Sequence, residues 1–281
     1  MKIGSRDFKT SLKTYIMGII NVTEDSFSDG GKNLNTGDML KSVRKMTASG
    51  VDIIDVGAQS TRPGYIEVSE DLEIKRAYNS IKAIREISDI PISVDTMRAS
   101  VAEASLKAGA DLINDVWGAR DDDMADVIAK HRVPCVLMHN RDSIYPASSD
   151  EDYIKTLCDE LGAIAENAEK RGIERDKIIL DPGLGFAKEY EQNLIIMANL
   201  KRLNTLGYPM LLGASRKSFI GNALDLPVNE RLEGTLVTTL MAAMAGFMFV
   251  RVHDTEENSR AVRMYESIRE RETAGYGLYQ H

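Results

Sequence analysis

Only two cysteines occur in the chain, Cys135 and Cys158. Two thiols cannot staple a chain of 281 residues, and they lack the paired spacing of a thiolate metal site. Both read as small buried apolar residues. A basic excess is also missing: 35 Lys and Arg stand against 43 Asp and Glu, a net charge of -8. That argues against sequence-independent binding of DNA or RNA, so no nucleic-acid partner is expected. Any anionic ligand must be held by a local cluster of donors working against the overall field. The longest apolar-leaning stretch, 236–250, falls short of the ~20 residues a membrane span needs, and Gly246 interrupts it. Met1 to Asp7 carry no apolar core of a secretory signal. The expectation is a cytoplasmic chain with no membrane partner.

Several familiar chemistries are absent as well. Lys217-Ser218 follows Arg216 rather than a glycine, so there is no P-loop, and no complete dinucleotide-binding glycine motif occurs. There are only four histidines and no H-E-x-x-H. Ser215 has no evident His and Asp escort, which argues against a serine nucleophile.

What is present is ordinary globular composition, 43% hydrophobic and 28% charged, with a repeating pattern laid over it. Gly50 precedes Val-Asp-Ile-Ile-Asp55, Gly109 precedes Ala-Asp-Leu-Ile-Asn114, and Gly246 precedes Phe-Met-Phe-Val-Arg251. Each glycine closes a helix-like segment by accepting the left-handed conformation, and the short apolar run after it suits a strand buried on both faces. Eight such runs occur, at 15–20, 51–56, 90–95, 111–116, 133–139, 177–181, 208–213 and 247–252. Amphipathic segments separate them, at roughly 36–49, 69–88, 97–108, 121–131, 150–171, 189–206, 229–245 and 255–272. In the second of these Ser69 offers an N-cap, and Ile74, Ala77, Ile81, Ile84 and Ile87 share a face. Eight strand–helix repeats in this length predict an α/β fold, a (β/α)8 TIM barrel, with an open doubly wound sheet as the rival. The expected organisation is one domain, 1–281, with the barrel proper at about 15–272.

A barrel of this kind places its chemistry at the carboxyl ends of its strands. There the sequence offers Asn21, Asp55, Asp95, Asn114 with Asp115, His139, Asp181, Ser215-Arg216-Lys217, and Arg251 with His253. A plain turn role weighs equally for Asp55 and Asp115, since Asp is favoured in turns anyway. Asp95, Asn114 and Asp181 are short, acceptor-rich groups, able to take the parallel N–H pair of an amino-substituted heterocycle. Lys217 adds a donor for a ring carbonyl or nitrogen. Asn21, Arg62, Arg251 and His253 read as a polyphosphate clamp, and an Asn carbonyl can share Mg2+ with phosphate oxygens. A heterocycle beside a pyrophosphate suggests group transfer with pyrophosphate as the leaving group.

Eight ordered motifs carry a resemblance. They are N-V-T-E-D-S-F-S-D-G-G at 21–31, S-T-R-P-G at 60–64, P-I-S-V-D-T at 91–96, I-N-D-V at 113–116, L-M-H-N at 137–140, D-P-G-L-G-F-A-K at 181–188, S-R-K-S-F-I-G at 215–221 and R-V-H-D at 251–254. In this order the chain resembles the dihydropteroate synthase family, folate-pathway enzymes that join a dihydropterin to p-aminobenzoate. The resemblance implies an eight-stranded barrel, usually a homodimer, that uses (7,8-dihydropterin-6-yl)methyl diphosphate, p-aminobenzoate and Mg2+. It implies pterin contacts at Asp95, Asn114, Met138, Asp181, Phe186 and Lys217. Pyrophosphate falls to Asn21, Asp25, Arg62, Arg251 and His253, with Asn21 also on the metal. For p-aminobenzoate the matching residues are Phe27, Thr61, Arg62, Pro63, Phe186, Lys217 and Ser218. Asp95, Lys217, Arg251 and His253 are the expected catalytic set. Asp25 and Arg62 fall on two loops that close over pyrophosphate in the family. Plain packing stays open for Phe186 and Met138, and His139 reads as a satisfied core histidine.

The implied chemistry needs no covalent nucleophile, because the electron-rich pterin can stabilise an ionised methylene and an aniline is already neutral at pH 7. Two departures from the family stand out. Glu24 replaces a usual proline, and Ala58-Gln59 replaces a usual Gly-Glu before Ser60. The T-E-D-S-F spelling also resembles sulfonamide-insensitive synthases, although S-T-R-P-G is intact, so the sulfonamide response is left open. The alternatives are a folate-binding methyltransferase of the corrinoid type, which would not need Lys217 or the Arg251/His253 clamp, and a non-catalytic pterin-binding protein, which would be expected to lose them.

Overall fold

A computed structural model describes residues 1–9, 13–22, 32–59, 68–121 and 123–273. Eight parallel strands form the barrel: β1 Tyr15–Asn21, β2 Ile53–Gly57, β3 Ile92–Asp95, β4 Leu112–Asp115, β5 Cys135–Met138, β6 Ile178–Asp181, β7 Leu211–Leu212 and β8 Phe249–Val252. They are hydrogen-bonded in the order β6-β5-β4-β3-β2-β1-β8-β7. A parallel bridge between Leu180 and Met210 joins β6 to the start of β7 and closes the ring. This is the predicted (β/α)8 barrel, and each predicted run holds its strand with ends shifted by a few residues. The β7 run shortens most, to two residues, because Pro209 has no N–H to donate to a neighbour.

The outer helices are α1 Lys32–Ala48, α2 Glu70–Arg85, α3 Ala99–Ala108, α4 Met124–His131, α5 Asp150–Lys170, α6 Tyr190–Ala198, α7 Ser218–Leu224, α8 Leu232–Ala245 and α9 Thr255–Thr273. Gly109 and Gly246 cap α3 and α8 at φ 114° and 85°, the left-handed conformation expected of them. Ser69 does occupy the N-cap of α2, but its side chain makes no cap bond there. Glu70, Asp71 and Glu73 in the first turn favour the helix dipole instead. The predicted core face holds, with Ala77, Ile81 and Ile84 fully buried.

Three features depart from expectation. The single helix predicted at 189–206 breaks at Asn199, whose side chain donates to the Ile195 carbonyl at 2.8 Å and ends α6. The short α7 follows Lys217 directly. At the amino end of the barrel, a two-stranded hairpin (Lys2–Ile3 and Arg6–Asp7) brings Ile3 and Phe8 against Tyr15 and Phe249. The Phe8 and Tyr15 rings meet edge-on at 4.7 Å. Burying side chains of this size stabilises by ~1.5–3 kcal/mol each, so the hairpin acts as an apolar plug at the end opposite the site. Among the described residues no helix is long and apolar enough to cross a membrane.

Candidate active site

Alternate residues of each barrel strand face inward. On seven strands the lower inward positions are apolar, and Met17, Ile53, Leu112, Val136, Ile179, Leu211 and Phe249 form one cluster with the plug, while β3 places the buried Ser93 there. Two residues further along the same strands the chemistry changes. Ile53 gives way to Asp55, Leu112 to Asn114, Val136 to Met138, Ile179 to Asp181, Leu211 to Gly213 and Phe249 to Arg251. One pleat thus separates a dry core from a polar floor.

Arg251 organises that floor. Its Nε donates to Asp55 Oδ2 and its Nη2 to Asp95 Oδ2, both at 2.6 Å. Asn114 Nδ2 donates to the same Asp55 oxygen at 3.2 Å. The two carboxylates are almost wholly buried, at 0% and 4% exposure, while the guanidinium is 20% exposed. Burial works against the Arg251 charge, but Asp55 and Asp95 outweigh it and hold its pKa above the usual range. Burial pushes Asp95 upward despite Arg251 beside it, with Asp55 adding to the rise. The other oxygens, Asp55 Oδ1 and Asp95 Oδ1, are buried and meet no donor among the described residues.

Across the mouth stands a second pair. Asp181 Oδ1 accepts from the Gly183 N–H at 2.7 Å, and burial raises its pKa against the pull of Lys217. Lys217 donates to the Leu184 carbonyl, and its ammonium lies 4.9 Å from the centre of the Phe186 ring. Burial lowers Lys217 to about 8. Gly183 makes this turn possible: its φ is 68°, and a Cβ there would strike the His139 carbonyl. Met138 is buried between, paired in register with Asp181.

The structure brings Asp95, Asn114, Asp181, Lys217, Phe186 and Met138 to one mouth with Arg251. His253 sits above Arg251 on the same face of β8, its Nδ1 3.0 Å from Ser215 Oγ. Asn21 is exposed at the end of β1, and its Oδ1 lies 3.2 Å from where a Cβ on Gly57 would sit, so the glycine leaves the space Asn21 occupies. Ser218 is exposed at the start of α7. Asp25, Phe27, Thr61, Arg62 and Pro63, and the variant Glu24, lie outside the described residues. Of the other departure, Ala58 is buried, and Gln59 Oε1 accepts from the Val68 N–H at 3.0 Å, tying residue 59 to residue 68.

Two strand-end residues do not join the mouth. Asp115 alternates to the outer face, where its carboxylate accepts from the Trp117 and Ala119 N–H groups, at 2.8 Å and 2.5 Å, and holds a turn. His139 also points outward, with Nε2 2.5 Å from Glu160, and is the buried, satisfied histidine expected. Two contributors carried no assigned role in the sequence. Asp55, for which a turn role weighed equally, is the anchor of Arg251. Ser215, for which the sequence offered no evident histidine escort, is in fact the bonding partner of His253: its Oγ lies 3.0 Å from Nδ1 and accepts from the His253 backbone N–H at 3.2 Å.

The floor therefore offers unpaired carboxylate acceptors beside a charged arginine and a half-buried lysine over an aromatic ring. That is a site for a flat, nitrogen-rich ring carrying N–H donors, with an anion alongside. Residues 17–253 match the family described as pterin binding enzyme, and the chain belongs to that family. A dihydropteroate synthase of Clostridium beijerinckii is 55% identical over 270 residues, which cover 95% of this chain and 99% of that one. A dihydropteroate synthase of Clostridium difficile, solved in the presence of pteroic acid, has a TM-score of 0.87 at 43% identity, covering 96% of this chain and 100% of that one. The Yersinia pestis dihydropteroate synthase solved with a sulfonamide drug has a TM-score of 0.88 at 34% identity, covering 96% and 99%. With relatives of this kind along almost its whole length, the chain is a transferase of the dihydropteroate synthase type.

Proposed function

We propose that this mouth condenses (7,8-dihydropterin-6-yl)methyl diphosphate with p-aminobenzoate, giving 7,8-dihydropteroate and pyrophosphate. The observation that carries the assignment of roles is Asp95 Oδ1, buried and without a donor among the described residues, in the mouth that also holds Asp181 and Lys217. An unpaired buried acceptor costs ~1–3 kcal/mol, so it is retained where a ligand donor completes it. Asp95, Asn114 and Asp181 read the N–H edge of the pterin, Lys217 donates to its carbonyl or ring nitrogen, and Met138 and Phe186 cover its faces.

Departure of the diphosphate breaks the methylene C–O bond and leaves positive charge delocalised into the pterin; the aniline nitrogen then forms the C–N bond and gives up one of its protons to the released pyrophosphate or to water. Arg251 and His253 face the departing oxygens and take up their charge, in a site preorganised by Asp55 and Ser215. Asp25 and Arg62 are assigned to the same diphosphate, and Phe27, Thr61, Arg62, Pro63 and Ser218 to p-aminobenzoate, by their place in the family motifs. Asn21 is the residue suited to Mg2+: an exposed amide oxygen beside the anion site matches a cation that takes few protein ligands and keeps substrate phosphates and water for the rest. When bound, Mg2+ supplies neutralisation of diphosphate charge.

We further assign a cytoplasmic homodimer. Val237, Met241 and Met244 of α8 and Met264 and Ile268 of α9 are all exposed on neighbouring helices, an apolar surface that suits a second copy. A coupled assay of pyrophosphate release, with and without p-aminobenzoate and with the product identified by mass, tests the activity. Release that requires p-aminobenzoate and yields dihydropteroate supports it; release without the aniline, or no product of that mass, refutes it.

A further inference from the structure

Lys188 closes the D-P-G-L-G-F-A-K segment and has no part in the chemistry above, yet its environment is as constructed as that of the site. Its Nζ lies 3.0 Å from the Phe186 carbonyl, 3.3 Å from the His139 carbonyl and 3.1 Å from His139 Nδ1. In its charged form Lys188 carries three donors, and three acceptors meet them, while burial lowers its pKa to about 7. The bond to Nδ1 leaves the histidine proton on Nε2, which donates to Glu160 at 2.5 Å, and Arg141 fixes the same Glu160 oxygen from its Nε at 2.8 Å. Burial keeps His139 neutral, down to about 4, so Nδ1 stays an acceptor at physiological pH.

The contact with Phe186 reaches back across Ala187, a non-glycine residue at φ 44°. That conformation is costly for a residue with a Cβ and persists where the surroundings enforce it. Phe186 is in turn the ring beneath the Lys217 ammonium. A chain of contacts therefore runs from α5 through His139 and Lys188 to the carbonyl of Phe186, and through its ring to Lys217.

We infer that Lys188 is a positioning residue: held by His139 and Glu160, it sets the Phe186 ring against the pterin and beneath Lys217. This rests on the pterin reading of Phe186 proposed above. Lys188 does not itself touch the substrate in that reading; its hydrogen bonds reach the ligand through Phe186, and its charge also acts on Asp181 and Lys217.

The test is a double-mutant cycle read with two probes, 6-hydroxymethylpterin and inorganic pyrophosphate with Mg2+. Lys188→Met keeps an unbranched chain and removes all three donors. It should weaken 6-hydroxymethylpterin about tenfold and raise the KM for the dihydropterin diphosphate, while pyrophosphate affinity stays within about twofold. Lys188→Arg should recover most of the loss. Phe186→Ala should weaken the pterin by itself, and adding Lys188→Met to it should weaken the pterin no further, the mark of two residues acting as one unit. Should Lys188→Met fail to accumulate, Lys188→Gln, with a shorter reach and an uncharged amide, carries the same cycle. Normal pterin affinity in the Lys188 variants overturns the inference. So do equal losses for both probes, which mark a general folding defect, and losses that multiply in the double variant, which mark an independent role. If Phe186→Ala leaves pterin affinity unchanged, the pterin reading of that residue falls and the inference falls with it.

Discussion

Arg251 is the structure's most exposed wager, because one guanidinium neutralises two carboxylates inside the barrel. Arg251→Met removes it while keeping the length of its stem. Asp55 and Asp95 are then left with 0% and 4% exposure and no cation in contact. Breaking a buried pair from one side costs ~3–5 kcal/mol, since the partner charge stays buried. Two ion pairs are lost here but share one cation, so a loss of about 4 kcal/mol at pH 8 is the working figure. The folded variant can relieve the cost by binding a proton. Its carboxylate pKa then lies above the unfolded value, so the folded state holds more protons than the unfolded one and stability rises as the pH falls. One group protonated across one to two pH units returns about 1.4 kcal/mol per unit. Burial already raises Asp95 to about 7 beside Arg251, so the wild type gains part of the same return, and the gap should shrink by about 1 kcal/mol, to about 3 kcal/mol, by pH 6. Urea unfolding at pH 8 and pH 6, with m-values compared, measures both gaps. A gap that is constant or wider at pH 6 would refute the reasoning, because it would mean that Arg251 does not compensate buried negative charge.

Four further expectations follow from named contacts. Asp181→Asn turns one ligand-facing acceptor into a donor; pterin affinity by calorimetry should fall at least about tenfold, consistent with ~1–3 kcal/mol for an unmatched buried contact, with the fold intact. The Lys217 ammonium titrates near 8, so it loses its charge as the pH rises through that value; pterin affinity should fall between pH 7 and 9, and Lys217→Arg should flatten the profile. Gly183→Ala meets both a φ of 68° and the His139 carbonyl, and thermal unfolding should show a loss of several degrees or a failure to fold. Gln59→Glu keeps an acceptor for the Val68 N–H and should leave the KM for p-aminobenzoate within about threefold, whereas Gln59→Leu, which has none, should raise it more.

Much of the fold was legible because each barrel unit repeats the same local physics: a helix stopped by glycine, then an apolar run too short for a helix. What escaped has little local signal. Two-residue strands such as Lys2–Ile3 have no measurable alternation, and α7, at seven residues, is barely two turns. The candidate site was legible as a set of strand ends: Asp95, Asn114, Met138, Asp181 and Arg251 meet Phe186 and Lys217 at one mouth, while Asp25 and Arg62 lie outside the described residues. Asp115 and His139 were placed with them because a strand end locates a residue along the axis but not on the inner or outer face. One step of parity separates Asn114 from Asp115 and Met138 from His139. Cross-barrel partners are harder still. That Arg251 meets Asp55 and Asp95, on strands 196 and 156 residues away in sequence, depends on the stagger of closure, which no local pattern encodes.

That stagger also explains how the barrel tolerates its own floor. Asp55 Oδ1, Asp95 Oδ1 and Ser93 Oγ are buried without a partner among the described residues, each at a cost of ~1–3 kcal/mol. One pleat below the two carboxylates lies the dry layer of Met17, Ile53, Leu112, Val136, Ile179, Leu211 and Phe249, sealed from the far end by Ile3 and Phe8. The burial gained there, ~1.5–3 kcal/mol per large side chain, is of the size needed to offset the strained polar layer above. The hairpin plug completes this apolar layer from the end opposite the site. In the proposed reading, a floor that keeps its acceptors in place offers the pterin a preset array rather than one it must reorganise, which is where electrostatic catalysis draws most of its advantage.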